Sequence, residues 1–323
     1  MTYAQYGLVQ ATDFNNLVGT NPDTTSDRLN TVWATGGSNA GYGQASIAQV
    51  TAGDIVTATK WANLINNTAL AALHQGSTIT SVTAPTAGSK ITYLSALPTN
   101  LTTIYTNRLN ATGQGITSSN TQTYGSTWTT TLTCQHTITF STGDQARYFF
   151  NAGGQIAISC SHPMSTGFNG TISGLASAIG TVVLSAPITG TIIIASTNYN
   201  GVTKIGGGGN TPVISTNNGY YALNTSNAQL FSQTATSGGY YYYYYYYYGY
   251  NGRIRVIGKS NGTQGSNGDA GSIITIYTVW DQIPSGITIS AGSAITCVVR
   301  PPSTDNISNT WGSIGLTGTV SAN

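Results

Sequence analysis

Trp128-Thr-Thr-Thr-Leu-Thr-Cys-Gln-His-Thr-Ile-Thr-Phe140 is the stretch that decides the fold of this chain. Its even positions from 132 to 140 hold Leu, Cys, His, Ile and Phe, whereas its odd positions from 129 to 139 hold Thr or Gln. Successive side chains of a β-strand point to opposite faces of the sheet. This period of two therefore predicts a strand with one buried face.

Further short runs of strand-forming residues follow this stretch, and Gly, Asn and Pro separate them. Many short strands joined by turns are typical of an antiparallel β-sandwich, so we expect a jelly-roll-like sandwich over residues 127–323. The additional strands are predicted at Arg147–Phe150, Gln155–His162, Thr181–Ser185, Gly190–Ser196, Tyr220–Leu223, Tyr240–Tyr248, Arg253–Gly258, Ser272–Trp280 and Ala294–Arg300.

The N-terminal part carries a repeated helical pattern, which occupies residues 9–18 and 56–65. In each copy Ala-Thr is followed, after one residue, by an aromatic residue, which is Phe14 in the first copy and Trp61 in the second. The pattern then continues with any residue, Asn, Leu and an aliphatic residue. The apolar positions recur at i, i+3 and i+4, so each copy predicts a helix with one apolar stripe.

A third helical stretch is predicted within residues 90–109, and Pro98 is expected to divide it. The predicted fold class is therefore α+β and multidomain. A small helical domain occupies residues 1–115, a linker occupies residues 116–126, and the antiparallel β-sandwich follows.

The chain has very little charge: Asp, Glu, Lys and Arg make up 6% of it, against about a quarter in ordinary soluble proteins. The eight acidic residues are all Asp and are scattered, so the sequence shows no carboxylate pair of the glycosidase type. The fold could still bring Asp144 and Asp269 together. Each of the three His lacks a nearby Asp or a nucleophile-elbow sequence. We therefore predict a protein that is not an enzyme and uses no cofactor.

The distribution of basic and apolar residues excludes two classes of partner. The densest basic cluster is Arg253, Arg255 and Lys259, which is too small to neutralise a nucleic-acid backbone. The longest apolar region, residues 181–195, is interrupted by a proline and a glycine, so we expect no membrane insertion.

The first ten residues lack the pattern of a secretory signal, and three Cys are too few for a disulfide framework. Folding in a reducing cytoplasm is therefore expected.

Two Cys-x-His pairs are the candidate metal ligands. Cys134 and His136 share one face of a predicted strand, and Cys160 and His162 share one face of another. If the two strands were neighbours, these four side chains would form a tetrahedral zinc site. Both pairs lie in apolar stripes and lack the usual zinc spacing, so buried thiols and hydrogen-bonded histidines are the competing interpretation.

Nine consecutive tyrosines, Tyr240–Tyr248, form the most aromatic segment of the chain. As a strand, this segment would give both faces large side chains that can also form hydrogen bonds. The alternate positions are candidates for contact with a neighbouring subunit or with a host-surface glycan. These positions are Tyr240, Tyr242, Tyr244, Tyr246 and Tyr248.

Several segments resemble virion structural proteins of tailed bacteriophages, especially those that infect marine cyanobacteria. Several members of that group look like tail-fibre or appendage proteins. The resemblance covers nearly the whole chain and brings no catalytic residues with it. The segments that carry it are Arg147–Ile156, Lys259–Asp269, Pro302, Ser308–Gly312, Asp13–Leu17 and Gly41–Gln44.

The resemblance implies a structural protein of the virion, assembled in the host cytoplasm, in the tail, fibre or baseplate apparatus. Its partners would be other virion proteins and copies of itself, with a trimer as the expected symmetry by analogy. We expect the helical domain to be the docking module, through Phe14, Trp33, Tyr42 and Trp61. A receptor-binding module for a host glycan is the alternative function, and a capsid decoration protein or a glycan hydrolase is disfavoured.

Overall fold

A computed structural model describes residues 11–51, 53–87, 95–164, 166–187, 190–215, 219–237 and 250–323. Within these ranges the chain forms six α-helices, a short 3-10 helix at Tyr220–Ala222 and thirteen β-strands. The helices are α1 Ala11–Val18, α2 Leu29–Val32, α3 Ala58–Gln75, α4 Ala96–Thr106, α5 Gly143–Asn151 and α6 Gly167–Ala178. The strands are β1 Ser118–Tyr124, β2 Leu132–Thr139, β3 Gln155–Ser161, β4 Thr181–Leu184, β5 Ile192–Ile194, β6 Thr197–Tyr199, β7 Val202–Ile205, β8 Val213–Ile214, β9 Ala228–Ser237, β10 Tyr250–Ser260, β11 Ile273–Asp281, β12 Ser293–Arg300 and β13 Gly315–Ala322.

Most of these strands belong to two antiparallel sheets. In the described residues, sheet I has the order β1-β12-β3-β4-β7 and sheet II has the order β13-β2-β11-β10-β9-β8, while β5 and β6 form a separate two-stranded sheet. The connections β1–β2, β2–β3, β11–β12 and β12–β13 each pass from one sheet to the other. Helices and antiparallel sheets thus occur together, and the predicted α+β class is confirmed.

Strand β2 lies inside sheet II between β13 and β11. Its side chains alternate between buried and partly exposed as the sequence predicts, and the buried set is Leu132, Cys134, His136 and Ile138. The predicted strand is therefore confirmed, with the expected face buried.

The edge strands of the two sheets, β1 and β13, lie beside each other. A Cβ atom added at Gly318 in β13 would lie 2.5 Å from Asn120 Oδ1 and 2.8 Å from Gln122 Cγ in β1. Glycine at this position therefore lets side chains of one sheet rest on the backbone of the other.

The two copies of the N-terminal repeat both form helices, as predicted, over their described residues. Helix α3 begins where the side chain of Thr57 accepts a hydrogen bond from the Lys60 N–H (3.3 Å) and ends at Gly76, which has φ of +70°. The aromatic residues of the two copies, Phe14 in α1 and Trp61 in α3, pack edge to face with ring centroids 5.3 Å apart. Each apolar stripe therefore covers the other.

The prediction that Pro98 divides the third helical stretch is wrong. Helix α4 begins at Ala96 and places Pro98 in its first turn, where the N–H that proline lacks would have no partner inside the helix. The helix continues to Thr106 and buries Leu101 and Ile104.

Three further expectations about secondary structure are corrected. Residues 147–150, expected as a strand, belong to α5, and residues 220–223, also expected as a strand, contain the 3-10 helix. The predicted linker at 116–126 contains β1, which pairs along its whole length with β12. Predictions at β3, β4, β5, β10, β11 and β12 are confirmed to within a few residues.

The buried apolar side chains of the helical and β regions belong to one hydrophobic cluster, which extends from Phe14 to Trp311. The chain therefore buries both regions in a shared core. None of the described helices combines the length and the apolar character that crossing a membrane requires.

Candidate functional site

The glycine-rich loop at residues 33–43 lies between the helices and the sheets. Helix α5 holds this loop through two buried side chains. Arg147 donates from Nη1 to the Ala40 carbonyl oxygen (2.7 Å), and Asn151 donates from Nδ2 to the Gly41 carbonyl oxygen (3.0 Å). These bonds satisfy backbone acceptors that the loop, having no regular structure, leaves unpaired.

The C-terminal part of the chain holds the same loop from another side. Gln44 donates from Nε2 to the Ser308 carbonyl oxygen (2.9 Å) and accepts at Oε1 from the Ser308 N–H (3.0 Å). The Thr310 hydroxyl donates to the Tyr42 carbonyl oxygen. We call this meeting of residues 40–44 with α5 and residues 308–310 the internal joint.

Close approach explains two glycines of the internal joint. Gly41 has φ of +96°, and a Cβ atom there would lie 2.1 Å from the Thr35 carbonyl oxygen. Gly43 has φ of +70°, and its Cβ atom would lie 2.4 Å from Cδ2 of Tyr148 in α5. At both positions a larger residue would have an unfavourable backbone conformation and no room for its side chain.

The four predicted docking residues are not available to a partner protein. Phe14, Trp33, Tyr42 and Trp61 are 0%, 7%, 0% and 2% exposed. The Tyr42 hydroxyl donates to the Arg108 carbonyl oxygen (2.8 Å), and burial raises the pKa of this hydroxyl. The prediction that these side chains dock other virion proteins is wrong, because they fill the protein's own core and its internal joint.

Several of the segments that carry the phage resemblance meet at the internal joint. Residues 147–156, 308–312 and 41–44 are joined by the hydrogen bonds described above. The segment 259–269 approaches the same helix, where the Gly268 N–H donates to the Asp144 carboxylate (3.2 Å). The shared role of these segments is therefore to hold the fold together.

The two Cys-x-His pairs do not lie on neighbouring strands of one sheet, which the predicted zinc site requires. Strand β2 belongs to sheet II and β3 to sheet I, so the strands are not neighbours in a sheet. Within the first pair, Cys134 Sγ lies 3.6 Å from His136 Nδ1, and both residues are fully buried. Burial raises the pKa of the Cys134 thiol to about 12 and lowers that of His136, so both stay neutral near pH 7.

His162 of the second pair is already hydrogen-bonded at both ring nitrogens. Nδ1 lies 3.0 Å from Ser293 Oγ, and Nε2 lies 3.1 Å from Asn169 Oδ1. Burial lowers the pKa of this ring, and it also raises the pKa of the Cys160 thiol. Across the described part of the chain, no three His, Cys, Asp or Glu residues are arranged to hold a metal ion. Cys134 is buried, Cys160 is partly buried and His162 is hydrogen-bonded, which is closer to the competing interpretation than to a zinc site.

The tyrosine segment 240–248, with its candidate contact residues, lies outside the described residues. The strands that flank it in the sequence, β9 and β10, pair in antiparallel register with Ser237 opposite Tyr250.

Asp144 and Asp269, the carboxylates that the fold could have brought together for catalysis, both accept hydrogen bonds from groups of the protein. Asp144 accepts hydrogen bonds from Nε and Nη2 of Arg147 (3.1 and 2.9 Å). Asp269 accepts a hydrogen bond from the Ser266 N–H (2.7 Å). Both carboxylates therefore hold the turn beside α5 in place.

A cleft of about 670 Å³ opens next to the internal joint, where five separate parts of the chain meet. Sequence reasoning missed it, because its walls come from turns and loops that show no periodicity. Arg108 is the charged residue among those that line the cleft. The lining residues are Ser38, Asn39, Thr106–Asn110, Pro187, Gly190–Ile192, Tyr221 and Gln264–Ser266.

A second notable surface is the outer face of β13 and β2 in sheet II. Thr317, Thr319 and Ser321 are exposed, and each pairs with a partly exposed polar residue of β2. Neither strand contains Asp, Lys or Arg. Within the described residues β13 has no hydrogen-bonded strand on its other side. This hydroxyl-rich face therefore ends at an uncharged edge.

Comparison with known proteins found no matching family model, no matching curated protein and no matching solved structure.

Proposed function

We propose that this chain is a non-enzymatic structural subunit of a tailed-phage virion, in the tail, fibre or baseplate apparatus. The observation that carries the proposal is the uncharged hydroxyl-rich face of β13 and β2, where β13 has no hydrogen-bonded strand on its other side among the described residues. Soluble proteins usually protect an edge strand with charges, proline or a bulge, because an unprotected edge pairs with other chains. In an assembled subunit, the neighbouring copy supplies that protection.

The low charge of the chain supports the same proposal. Burying an ion at an interface costs several kcal/mol, whereas threonine and serine hydroxyls can exchange hydrogen bonds with water for hydrogen bonds with a partner at little net cost. Copies of the chain and other virion proteins are the partners, and closed symmetry such as a trimer is the expected arrangement.

The proposal includes a jelly-roll-like sandwich in which sheets I and II face each other. Trp128 supports this arrangement because it links the sheets: its Nε1 donates to Ser293 Oγ in β12 (3.2 Å), and its ring packs against Trp280 in β11. The contact of Asn120 and Gln122 with Gly318 also joins the sheets at their edges.

The test has two parts. Mass spectrometry of purified particles should detect the chain at a fixed copy number, and electron cryo-microscopy should show the β13–β2 face against a neighbouring subunit. Thr319→Lys, which places a charge on that face, should reduce incorporation into particles at least tenfold. Ser285→Lys, at an exposed turn, is the matched control and should incorporate normally. Particles that lack the chain, or equal incorporation of both variants, would contradict the proposal.

A further inference from the structure

The cleft beside the internal joint contains a positive charge that no acidic group of the protein compensates. Arg108 donates from Nε to the Asn39 carbonyl oxygen (2.9 Å), from Nη2 to Asn39 Oδ1 (2.8 Å) and from Nη1 to the Tyr105 carbonyl oxygen (2.8 Å). Its guanidinium carbon lies 4.3 Å from the centre of the Tyr105 ring. All of these partners are neutral.

Four of the other five arginines behave differently, while Arg300 at the end of β12 also lacks an ion pair among the described residues. Arg28, Arg147, Arg253 and Arg255 each form an ion pair with an Asp. The described residues include all eight Asp of the chain, and none of these lies within ion-pair distance of Arg108. The charge of Arg108 therefore has no carboxylate partner within the chain.

Arg108 also keeps hydrogen-bonding capacity. A guanidinium has five N–H groups in a rigid plane, and three of them are used in the contacts above. One N–H therefore remains on each terminal nitrogen, while Asn39 and Tyr105 fix the orientation of the plane. A carboxylate accepts such N–H groups in short, charge-assisted hydrogen bonds.

The rest of the cleft wall is polar and neutral. Asn110 accepts at Oδ1 from the Ile193 N–H (2.9 Å), so its side-chain NH₂ group has no partner among the described residues. Oε1 of Gln264 also lacks a hydrogen-bond partner there. The apolar residues Leu109 and Ile192 are 8% and 6% exposed, so they offer little surface to a ligand.

We propose that this cleft binds an acidic saccharide, with the sugar carboxylate on Arg108 and sugar hydroxyl groups on the amides and hydroxyls around it. The cleft has the volume of an ordinary ligand site. A site for an apolar ligand would have a mostly apolar lining, whereas the lining of this cleft is mostly polar. An acidic peptide would need an aromatic or aliphatic anchor pocket for affinity. Leu109 and Ile192 are buried, and Tyr221, the aromatic residue of the lining, is held by its hydrogen bond to Asn151.

Binding is measured by isothermal titration calorimetry with the full chain. The acidic probes are trigalacturonate and 3′-sialyllactose, and the matched neutral probes are maltotriose and lactose. We expect at least one acidic saccharide to bind at least tenfold more tightly than its neutral counterpart. We also expect this difference to shrink in high salt, because screening weakens the contact between the carboxylate and Arg108.

Two variants locate the site. Arg108→Gln removes the charge, and Ser266→Asp adds a negative charge at an exposed position of the lining while leaving the contacts of Arg108 in place. Each should weaken binding of the acidic saccharide at least tenfold. Ser285→Asp, at an exposed turn outside the lining, has the same change in net charge as Ser266→Asp and should bind normally. Thermal unfolding confirms that each variant is folded.

Three results would overturn the inference. The first is that neither acidic saccharide binds more tightly than its neutral counterpart. The second is that hexaglutamate binds as tightly as the saccharides, which would assign the cleft to an acidic protein segment. The third is that Ser266→Asp and Ser285→Asp bind the saccharide equally, which would place the ligand elsewhere.

Discussion

Phe14 and Trp61 occupy equivalent positions in a repeated sequence and meet edge to face in the core, with ring centroids 5.3 Å apart. Each helix of the repeat thus buries its apolar stripe against the corresponding stripe of the other copy. The pair is a self-contained contact of the helical region, and its contribution to stability can be measured directly.

Truncating either ring should destabilise the fold by about 3–5 kcal/mol, because each Ala substitution leaves a cavity in the core. Urea unfolding of Phe14→Ala, Trp61→Ala and the double variant gives the coupling between the rings, which we expect to be about 0.5–1.5 kcal/mol. Ile55→Ala, at a side chain that is 80% exposed, is the control. Additive losses in the double variant would show that the rings do not interact.

Gly41→Ala should destabilise the protein more than Gly53→Ala. The two glycines have nearly the same φ, +96° and +95°, so the backbone strain of an alanine is matched. A Cβ atom at Gly41 meets the Thr35 carbonyl oxygen at 2.1 Å, whereas one at Gly53 meets nothing within 4 Å. The difference in the free energy of unfolding should be about 1–3 kcal/mol, as for other overpacked sites. Equal losses would mean that the internal joint is not tightly packed.

Acid should weaken the fold through His74. This buried ring lies with Nε2 3.0 Å from the Ala152 carbonyl oxygen, and burial lowers its pKa from 6.5 to about 4. The unfolded chain therefore binds a proton more readily, so stability that is present above pH 6.5 is lost as the pH falls towards 4. The loss from this group is about 3 kcal/mol.

The measurement is the free energy of unfolding in urea at several pH values between 7 and 4. His74→Gln should flatten the curve in this window relative to the unmodified protein. The pKa values of His136 and His162 are also lowered by burial, so some pH dependence should remain. A curve that His74→Gln leaves unchanged would show that His74 is not buried as described.

Asp281→Asn should destabilise sheet II by about 1–2 kcal/mol. Asp281 Oδ1 accepts from Nε of Arg253 (2.7 Å), and Oδ2 accepts from Nε of Arg255 (2.9 Å). Without the carboxylate, the two cations repel each other on the same face of β10. Because salt screens that repulsion, the loss should shrink in 1 M sodium chloride. Asp54→Asn, at an exposed Asp outside the ion pairs of the described residues, should change stability little.

The three thiols should be unreactive in the folded protein. Burial raises the pKa values of Cys134 and Cys297 to about 12 and also raises that of Cys160, and thiol reagents attack the thiolate. Labelling with a disulfide reagent at pH 8 should be slow for the native protein and reach three thiols per chain in denaturant.

Added zinc should leave the unfolding temperature unchanged. A rise in the unfolding temperature would instead support a zinc site formed by Cys134, His136, Cys160 and His162.

Much of the β structure was predictable, because apolar and polar residues alternate along a strand that has one buried face. The sequence of helix α5 predicts a strand because Tyr-Phe-Phe has a high β propensity. Its helical signal lies just upstream: the Thr142 hydroxyl accepts from the Gln145 N–H (3.1 Å), and Gln145 Oε1 accepts from the Ser141 N–H (3.1 Å). This resembles a capping box, followed by Ala146, Phe149 and Phe150 at helical spacing.

Helix α6 and strand β1 have only weak helix and strand patterns in their sequences, for physical reasons. Helix α6 begins at Gly167 and contains two further glycines, which disfavour a helix by about 1 kcal/mol each. Packing supplies the stabilisation, since Ile172 and Leu175 are buried. Strand β1 is polar on both faces and buries little, so its sequence shows no alternation to read.

The candidate site was the least predictable part. Phe14, Trp33, Tyr42 and Trp61 are aromatic and close to a glycine-rich loop, and these properties fit an external contact and an internal joint equally well. Arg108 has no local motif, and its significance depends on carboxylates being absent around it in three dimensions. The sequence shows only that such carboxylates are scarce.

The paired hydrogen bonds between Gln44 and Ser308 join residues that are 264 positions apart. A ribosome that adds about 5–20 residues per second delivers the second partner on the order of 10–50 s after the first. During that interval the nascent glycine-rich loop lacks the contacts that hold it from the C-terminal side. A truncated translation product that stops before Ser308 would therefore expose this loop to proteases, so limited proteolysis would distinguish incomplete chains from finished ones.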